Sequence, residues 1–171
     1  METPGSGDRP GTQSLIPHFP FLTRIVSGGQ TGVDRAALDV ALTLDLPVGG
    51  WCPAGRWTED GRLPDRYPLT ETDTPEPRQR TRLNVQDTDA TLILSTIELV
   101  AGTLLTARLA QAANKPCIAV NPASPDAVPH VRAWLVAHEP RLLNLAGPRE
   151  TEAPGIYDLT HAFIHHLLTT S

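Results

Sequence analysis

Apolar and polar residues follow one another along the chain in blocks whose period changes repeatedly. Short apolar runs at residues 24–27, 47–49, 90–95, 117–120 and 142–145 have the length of buried strands. Between them, apolar residues recur at the spacing of one helix face, at about 32–44, 78–85, 104–113, 125–138 and 155–168. Alternation at this spacing predicts an α/β fold with a mostly parallel sheet and helices on both faces.

Composition and charge indicate the extent of the folded domain and where the protein acts. Residues 1–22 are rich in Pro, Gly, Ser and Thr and lack an apolar period, so we expect a disordered N-terminal tail and a single ligand-binding domain over residues 23–171. The net charge of −5 predicts no general attraction to nucleic acid or to an anionic membrane. Because we find neither a signal peptide nor an apolar span of about 20 residues, we expect a cytoplasmic protein.

The first predicted strand ends in a glycine-rich turn, and a helix follows at once. Glycines allow positive φ and close approach of a ligand, and the N–H groups of a helix N-terminus favour an anion such as phosphate. The pattern G-G-x-x-G fits neither the Walker nor the dinucleotide motif, so the turn either binds phosphate or is a tight connection that binds nothing. The candidate residues here are Ser27, Gly28, Gly29, Gln30, Thr31, Gly32, Asp34 and Arg35.

Asp34 and Arg35 also have structural interpretations. The carboxylate of Asp34 either complements the helix dipole or contacts a ligand. Arg35 either pairs with Asp39 one turn later or contacts a ligand.

The other unusual loops also follow predicted strands, and the carboxyl ends of parallel strands meet at one edge of a sheet. Residues 50–77 form a long segment, and a loop of that length in a compact domain is usually functional. In it, Trp51 and Arg56 suit a flat heterocycle and its phosphate, although Trp51 is alternatively a core anchor. Cys52 is either a soft metal ligand or an inert thiol.

Later residues extend the candidate site. Arg80 and Asn84 share one helix face, which lines either a pocket or a solvated surface. Gly102 and Thr103 open a helix after a strand and suggest a second phosphate-contacting turn. Arg149 follows the last strand, where it either contacts an anion or pairs with Glu150 or Glu152.

No catalytic residue is predicted, and apart from the alternative given for Cys52 no metal ligand is predicted. His161 and His165 have the spacing of a metal pair, but they lie near the C-terminal end of the last helix, where imidazoles suit the dipole. No Ser/His/Asp order and no paired carboxylate spacing is recognisable.

Several blocks of residues, spanning about 24–168, together resemble the molybdenum cofactor carrier protein family. The family belongs to a Rossmann-like superfamily that also contains nucleotide phosphoribohydrolases, so the resemblance implies a Rossmann-like three-layer sandwich. It further implies that the chain binds the molybdenum cofactor, a pterin with a phosphate and a dithiolene-bound metal, as cargo. Molybdoenzymes are then candidate recipients, and a homo-oligomer (dimer or tetramer) is expected. The matching blocks are residues 27–39, 49–53, 84–85, 89–93, 146–150 and 154–157.

The chain departs from the family and superfamily patterns at the second glycine turn. Ala101 stands where the family pattern has Gly, and its Cβ lies where a backbone would approach a ligand. The phosphoribohydrolases have a catalytic Glu three residues after the Gly-Thr pair, and here that residue is Thr106. We therefore favour a binding or carrier protein for a phosphorylated heterocycle. The alternatives are a nucleoside-monophosphate phosphoribohydrolase or transferase and a sensor of a nucleotide signal.

The last predicted helix bears on assembly. It keeps many apolar side chains, some of which we expect to pack between subunits. They are Ile156, Leu159, Phe163, Ile164, Leu167 and Leu168.

Overall fold

A computed structural model describes residues 16–171, which fold around a five-stranded sheet. In chain order the elements are β1 (Arg24–Val26), α1 (Val33–Thr43), β2 (Val48–Gly49), β3 (Trp51–Cys52), β4 (Trp57–Thr58), β5 (Gly61–Arg62), β6 (Thr70–Glu71), α2 (Pro77–Gln86), β7 (Ala90–Leu94), α3 (Ala101–Ala112), β8 (Cys117–Val120), α4 (Ala127–His138), β9 (Leu142–Ala146) and α5 (Ile156–Thr169). The predicted α/β fold, with a mostly parallel sheet surrounded by helices, is confirmed.

The order of the strands shows how the chain is laid out. The central sheet runs β2-β1-β9-β7-β8, and every pairing in it is parallel. The last strand in sequence, β9, lies in the middle, between β1 and β7. Counting from β9 and continuing with β1 turns this order into 3-2-1-4-5, the start of the Rossmann order. The fold is therefore a doubly wound sheet whose first strand has moved to the end of the chain.

The helices form two packed groups. Helix α5 packs against α1 and α4, whereas α2 packs against α3. Crossovers between parallel strands are right-handed, so the direction of each connection decides which face its helix covers. The connections through α1 and α4 move toward β2, and those through α2 and α3 move toward β8, so the two groups cover opposite faces of the sheet. Ala36, Ala37 and Ala41 on α1 are fully buried, and their small side chains let this helix lie close to its neighbours.

The domain begins earlier than the sequence predicts. Ile16, Phe19 and Leu22 are buried in the core, and the Phe19 and Phe21 rings meet edge to face at 5.9 Å. The predicted tail over residues 1–22 is therefore corrected for residues 16–22, whose apolar side chains recur every three residues and face the core. The rest of that prediction, residues 1–15, lies outside the described residues.

The apolar face of α5 is covered by the chain itself. Ile156, Phe163, Ile164, Leu167 and Leu168 are at most 5% exposed. The expectation that part of this face packs between subunits is corrected for these five residues, because α1 and α4 cover them. For Leu159, which is half buried, it stays a prediction. The homo-oligomer stays a prediction that rests on the family resemblance alone.

None of the helices described within residues 16–171 is long and apolar enough to span a bilayer.

Candidate functional site

A cleft of about 200 Å³ opens where strands β1, β7 and β9 end. In doubly wound sheets ligands bind at this edge, where the two halves of the strand order diverge. The cleft is bounded by the β1–α1 loop, α2, the start of α3 and the β9–α5 loop. It brings together residues that the sequence predicts separately, namely Gln30, Asp34, Arg80, Gly102, Thr103 and Arg149.

Arg80 and Asp34 form an ion pair that lines this cleft. The Nη1 atom of Arg80 lies 3.4 Å from Oδ2 of Asp34, and the two side chains are 18% and 5% exposed. Asp34 also accepts the backbone N–H of Gln30 at 3.3 Å. Burial raises the pKa of Asp34, and the positive charge of Arg80 opposes that rise. The buried Nε of Arg80 has no partner among residues 16–171, so the guanidinium retains donor capacity.

The glycines of the first loop make room for the protein's own groups. A Cβ on Gly28 would lie 2.1 Å from Nη1 of Arg80. Gly29 and Gly32 have φ of +79° and +75°, which favours glycine. A Cβ on Gly29 would meet Leu63 at 2.7 Å, and one on Gly32 would meet a carbonyl oxygen of the β9–α5 loop at 2.4 Å. The spaces beside these glycines, which the sequence analysis assigned to a ligand, are therefore occupied by other residues of the protein.

Several N–H groups of this loop are paired inside the protein. The N–H of Gln30 donates to Asp34, that of Thr31 to Oε1 of Gln30 at 3.0 Å, and that of Val33 to the carbonyl of Pro148 at 3.3 Å. Within the described part of the chain no acceptor pairs with the N–H groups of Gly28 and Gly29. The donors left for an anion are thus fewer than the motif suggests, which increases the importance of Arg80.

The second glycine turn forms the start of α3. Thr103 uses its hydroxyl locally, donating to the carbonyl of Val100 at 3.1 Å. Ala101 lines the cleft with φ of +46°, a left-handed conformation that an L side chain rarely adopts. The family pattern has Gly where this chain has Ala101, and the observed φ gives a backbone reason for that Gly. Nothing lies within 4 Å of the position that a Cβ on Gly102 would occupy, so this turn is open to the cleft.

Arg149 lies at the rim and is half exposed. Its Nε contacts Glu152 at 3.1 Å and Glu59 at 3.6 Å. One alternative given by the sequence, the pair with Glu152, is therefore present. Burial alone would raise the pKa of Glu59, but hydrogen bonds from Thr151 and Thr31 lower it overall, which keeps this carboxylate charged beside Arg149.

Four predicted residues tie the surroundings of the cleft together. Ser27 donates from its hydroxyl to the carbonyl of Leu145 at 2.9 Å. Thr31 donates to Glu59 and accepts the N–H of Glu150. Arg35 makes paired hydrogen bonds of 3.2 Å to Asp60, not Asp39.

Arg56 is the fourth of these residues. Its guanidinium donates to four backbone carbonyls, those of Leu63, Pro64, Tyr67 and Leu69. These bonds hold the long segment closed, and Arg56 does not line the cleft.

Trp51, Cys52 and Asn84 also act within the fold. The side-chain amide of Asn84 accepts the N–H of Trp51 at 2.7 Å and donates to its carbonyl at 3.1 Å, which fixes β3 against α2. The indole N–H of Trp51 donates to Asp87 at 2.8 Å. Cys52 is 1% exposed, and burial raises the pKa of its thiol. Among residues 16–171 no three His, Cys, Asp or Glu side chains are grouped as a metal would require.

The sequence analysis missed Trp57. Its side chain is 65% exposed and lines a second cleft of about 200 Å³ that shares Gln30, Pro77 and Arg80 with the first. Together the two clefts have a volume of about 400 Å³, at the lower end of the size range of small-molecule sites, about 300–1,000 Å³. Its position in the long segment with many Pro and Gly residues could have identified Trp57 as a candidate. In that segment, however, the sequence analysis assigned contact with a flat heterocycle to Trp51, which lies beside the glycine pair.

Comparison with known proteins agrees with this architecture. Residues 25–168 match the family described as "Circularly permutated YpsA SLOG family", and the displaced strand β9 is what such a permutation produces. A crystal structure at 1.45 Å resolution, described as "Putative molybdenum carrier protein" from Syntrophus aciditrophicus SB, is 42% identical and has a TM-score of 0.84. The match covers 86% of this chain and 96% of that one. No curated protein matches the chain. The resemblance seen in the sequence is confirmed, and the chain belongs to the circularly permuted YpsA SLOG family.

Proposed function

We propose that this protein binds and carries a phosphorylated heterocycle, and that its cargo is the molybdenum cofactor. The proposal rests on the position and hydrogen bonding of Arg80. Arg80 lines both strand-end clefts, and its buried Nε has no partner among the described residues. Arginine binds phosphate through charge-assisted hydrogen bonds, which are stronger than neutral ones.

The surroundings of Arg80 support an anion more than a cation. The helix dipole of α3 places partial positive charge beside Gly102 and Thr103. Arg149 stands at the rim, where an incoming phosphate competes with Glu152 for its guanidinium. Asp34 is the opposing charge, but it is almost fully buried and already paired with Arg80. The phosphate is therefore expected between Arg80 and the start of α3.

The nature of the cargo is inferred from the relative and from chemistry. The relative that is 42% identical is described as a putative molybdenum carrier. The molybdenum cofactor holds its metal through a dithiolene, so its carrier needs groups for a phosphate and a flat ring more than it needs metal ligands. We further expect the protein to act in the cytoplasm and to deliver the cargo to molybdoenzymes.

A second function is considered because carboxyl groups line the cleft. Asp34, whose pKa burial raises, and Glu152 are the groups that could assist cleavage of a glycosidic bond in a nucleoside monophosphate. In such a hydrolysis, water adds to the sugar carbon, the bond to the base breaks, and the base leaves with a proton. Both carboxyl groups already pair with arginines, and Thr106 stands where the phosphoribohydrolases have Glu, so we rank this function second.

Two measurements test the proposal. Protein purified from cells that make the cofactor is analysed by native mass spectrometry, and the released ligand is oxidised and assayed for pterin fluorescence. We expect a bound mass and a pterin signal, both reduced in Arg80→Ala but not in Arg82→Ala, an exposed change on the same helix. Repeated absence of pterin contradicts the cargo.

Incubation with a panel of nucleoside monophosphates separates the second function from the first. Free base above the rate without protein supports the enzyme. Binding without base release excludes it and is the result that a nucleotide sensor predicts.

A further inference from the structure

The second cleft differs in chemistry from the first. It is lined by one indole, three prolines and a small number of polar groups. Trp57 is 65% exposed, whereas Trp51 and Trp134 are half buried. An isolated exposed apolar side chain is common and needs no explanation. Here, however, the indole shares a cleft with Pro53, Pro75 and Pro77, so the apolar surfaces are rigid and concentrated around one narrow space.

The position of the indole is fixed by the hairpin β4–β5. Gly55 has φ of +85°, and a Cβ there would lie 2.7 Å from the indole Nε1, so glycine allows the ring to lie against the backbone. The hydroxyl of Thr58 donates to the carbonyl of Gly61 at 2.6 Å and closes the hairpin. Its loop is tied to the β1–α1 and β9–α5 loops by Glu59, which accepts from Thr31 and Thr151. The hairpin that carries the ring is therefore anchored to the loops around the cleft before any ligand arrives.

The polar edge of the second cleft is suited to a heterocycle. The amide oxygen of Gln30 accepts the N–H groups of Thr31 and Glu59, each at 3.0 Å. This orients the amide and leaves its Nε2 hydrogens to donate, since no acceptor for them occurs among residues 16–171. Ring nitrogens and carbonyl oxygens of pterins and purines are matching acceptors. Arg80, which both clefts share, joins this edge to the proposed phosphate position.

We propose that the second cleft is the ring subsite of this protein, in which Trp57 stacks on a flat fused-ring heterocycle while Arg80 holds its phosphate. The proposal rests on the proposed function for the phosphate and adds the class of ring and the residue that selects it. An indole stacks on many kinds of aromatic ring, so this subsite selects phosphorylated heterocycles over simple sugar phosphates. Discrimination among the heterocycles then falls to the hydrogen bonds of Gln30.

Two probes separate the ring subsite from the phosphate position. Guanosine 5′-monophosphate carries the amino-pyrimidinone edge that pterins share, and ribose 5-phosphate has no ring system to stack. Affinities are measured by calorimetry for wild type, Trp57→Ala, Trp57→Phe, Arg80→Ala and the control Trp134→Phe. Quenching of tryptophan emission by the guanine ligand, lost in Trp57→Phe, independently reports contact with the indole.

We expect Trp57→Ala to weaken guanosine monophosphate binding about 5- to 150-fold, equivalent to about 1–3 kcal/mol of stacking, and to leave ribose 5-phosphate unchanged. Trp57→Phe should retain most of the affinity. If Trp57→Ala weakens binding of both probes equally, or of neither, the ring subsite is overturned. The phosphate position still holds in that case, provided that binding of ribose 5-phosphate depends on Arg80. No binding of either probe to wild type contradicts both proposals.

Discussion

Replacing Arg80 with alanine would leave the carboxylate of Asp34 buried without the guanidinium that faces it at 3.4 Å. Breaking a buried ion pair by removing one partner typically destabilises a protein by about 3–5 kcal/mol, because the remaining charge stays desolvated. Asp34 has an escape, since it can take up a proton. Neutralising an aspartate of ordinary pKa at pH 7 costs about 4 kcal/mol, at about 1.4 kcal/mol per pH unit.

The cost of protonating Asp34 limits how much stability Arg80→Ala can lose. Because burial already raises the pKa of Asp34 in the wild type, the additional cost of neutralising it is below this ceiling. We therefore expect Arg80→Ala to lower the free energy of unfolding by about 2–4 kcal/mol at pH 7. The neighbouring Arg82 is exposed, and Arg82→Ala should change stability by no more than about 0.5 kcal/mol.

The titration of Asp34 predicts how the stability difference between wild type and Arg80→Ala changes with pH. A carboxyl whose pKa is raised in the folded state contributes most to stability below its unfolded pKa, and this contribution is lost as the pH rises through the folded pKa. Removing Arg80 raises the folded pKa of Asp34 further, because the charge that opposes desolvation is gone. The stability difference between wild type and Arg80→Ala should therefore be smallest near pH 4–5 and grow toward pH 7–8.

Urea unfolding followed by circular dichroism between pH 4.5 and pH 8 measures this difference, with Arg82→Ala as the matched control. A difference that is constant over this range would show that Arg80 contributes by packing alone. A difference that is larger at pH 5 than at pH 8 would refute the account of the Arg80–Asp34 pair.

Three further predictions concern residues in and around the candidate site. Gly32→Ala should lower the free energy of unfolding by at least about 1–2 kcal/mol in the same urea titrations, because φ is +75° and a Cβ would meet a backbone carbonyl. As a control, Gly102→Ala should be neutral or stabilising, because the position of its Cβ is open space. Asn84→Ala should cost about 1–3 kcal/mol and shift tryptophan emission to longer wavelength, since the backbone of Trp51 loses both hydrogen bonds; an unchanged spectrum and urea midpoint would contradict this clamp. Arg149→Ala should weaken phosphate-ligand binding by up to about 1.5–3 kcal/mol in calorimetry, with a stability change below about 1 kcal/mol because the side chain is 48% exposed; full affinity would remove Arg149 from the site.

The fold was predictable because each element carries its own periodic signal. The apolar run that forms β8, residues 117–120, lies between Pro116 and Asn121, and the structure assigns the strand to the same residues. The position of β9 between β1 and β7 has no local signal, because strand order depends on which crossovers pack well and not on any one segment. For the same reason, the apolar residues of α5 could be identified but not the helices that cover them.

The candidate site was predictable only in part. Glycine turns are visible in a sequence, yet what fills the space beside a glycine is a long-range contact, as with Gly28 and Arg80. Arg56 and Arg149 look alike as loop arginines, but the long segment folds around Arg56 and leaves Arg149 at the rim. Trp57 was missed because exposure depends on how the hairpin is anchored, which involves Glu59 and distant loops.

The central claim is that Arg80 marks the phosphate position of a bound heterocycle, and a crystal structure of the protein purified with its cargo tests it most directly. The account predicts ligand density at the carboxyl ends of β1, β7 and β9, with phosphate oxygens within about 3 Å of the Arg80 guanidinium, the N⁺–H···O⁻ distance of a charge-assisted hydrogen bond. The ring should lie beside Trp57 in the adjoining cleft. Density for the cargo elsewhere on the molecule, with Arg80 still paired only to Asp34, would contradict the account.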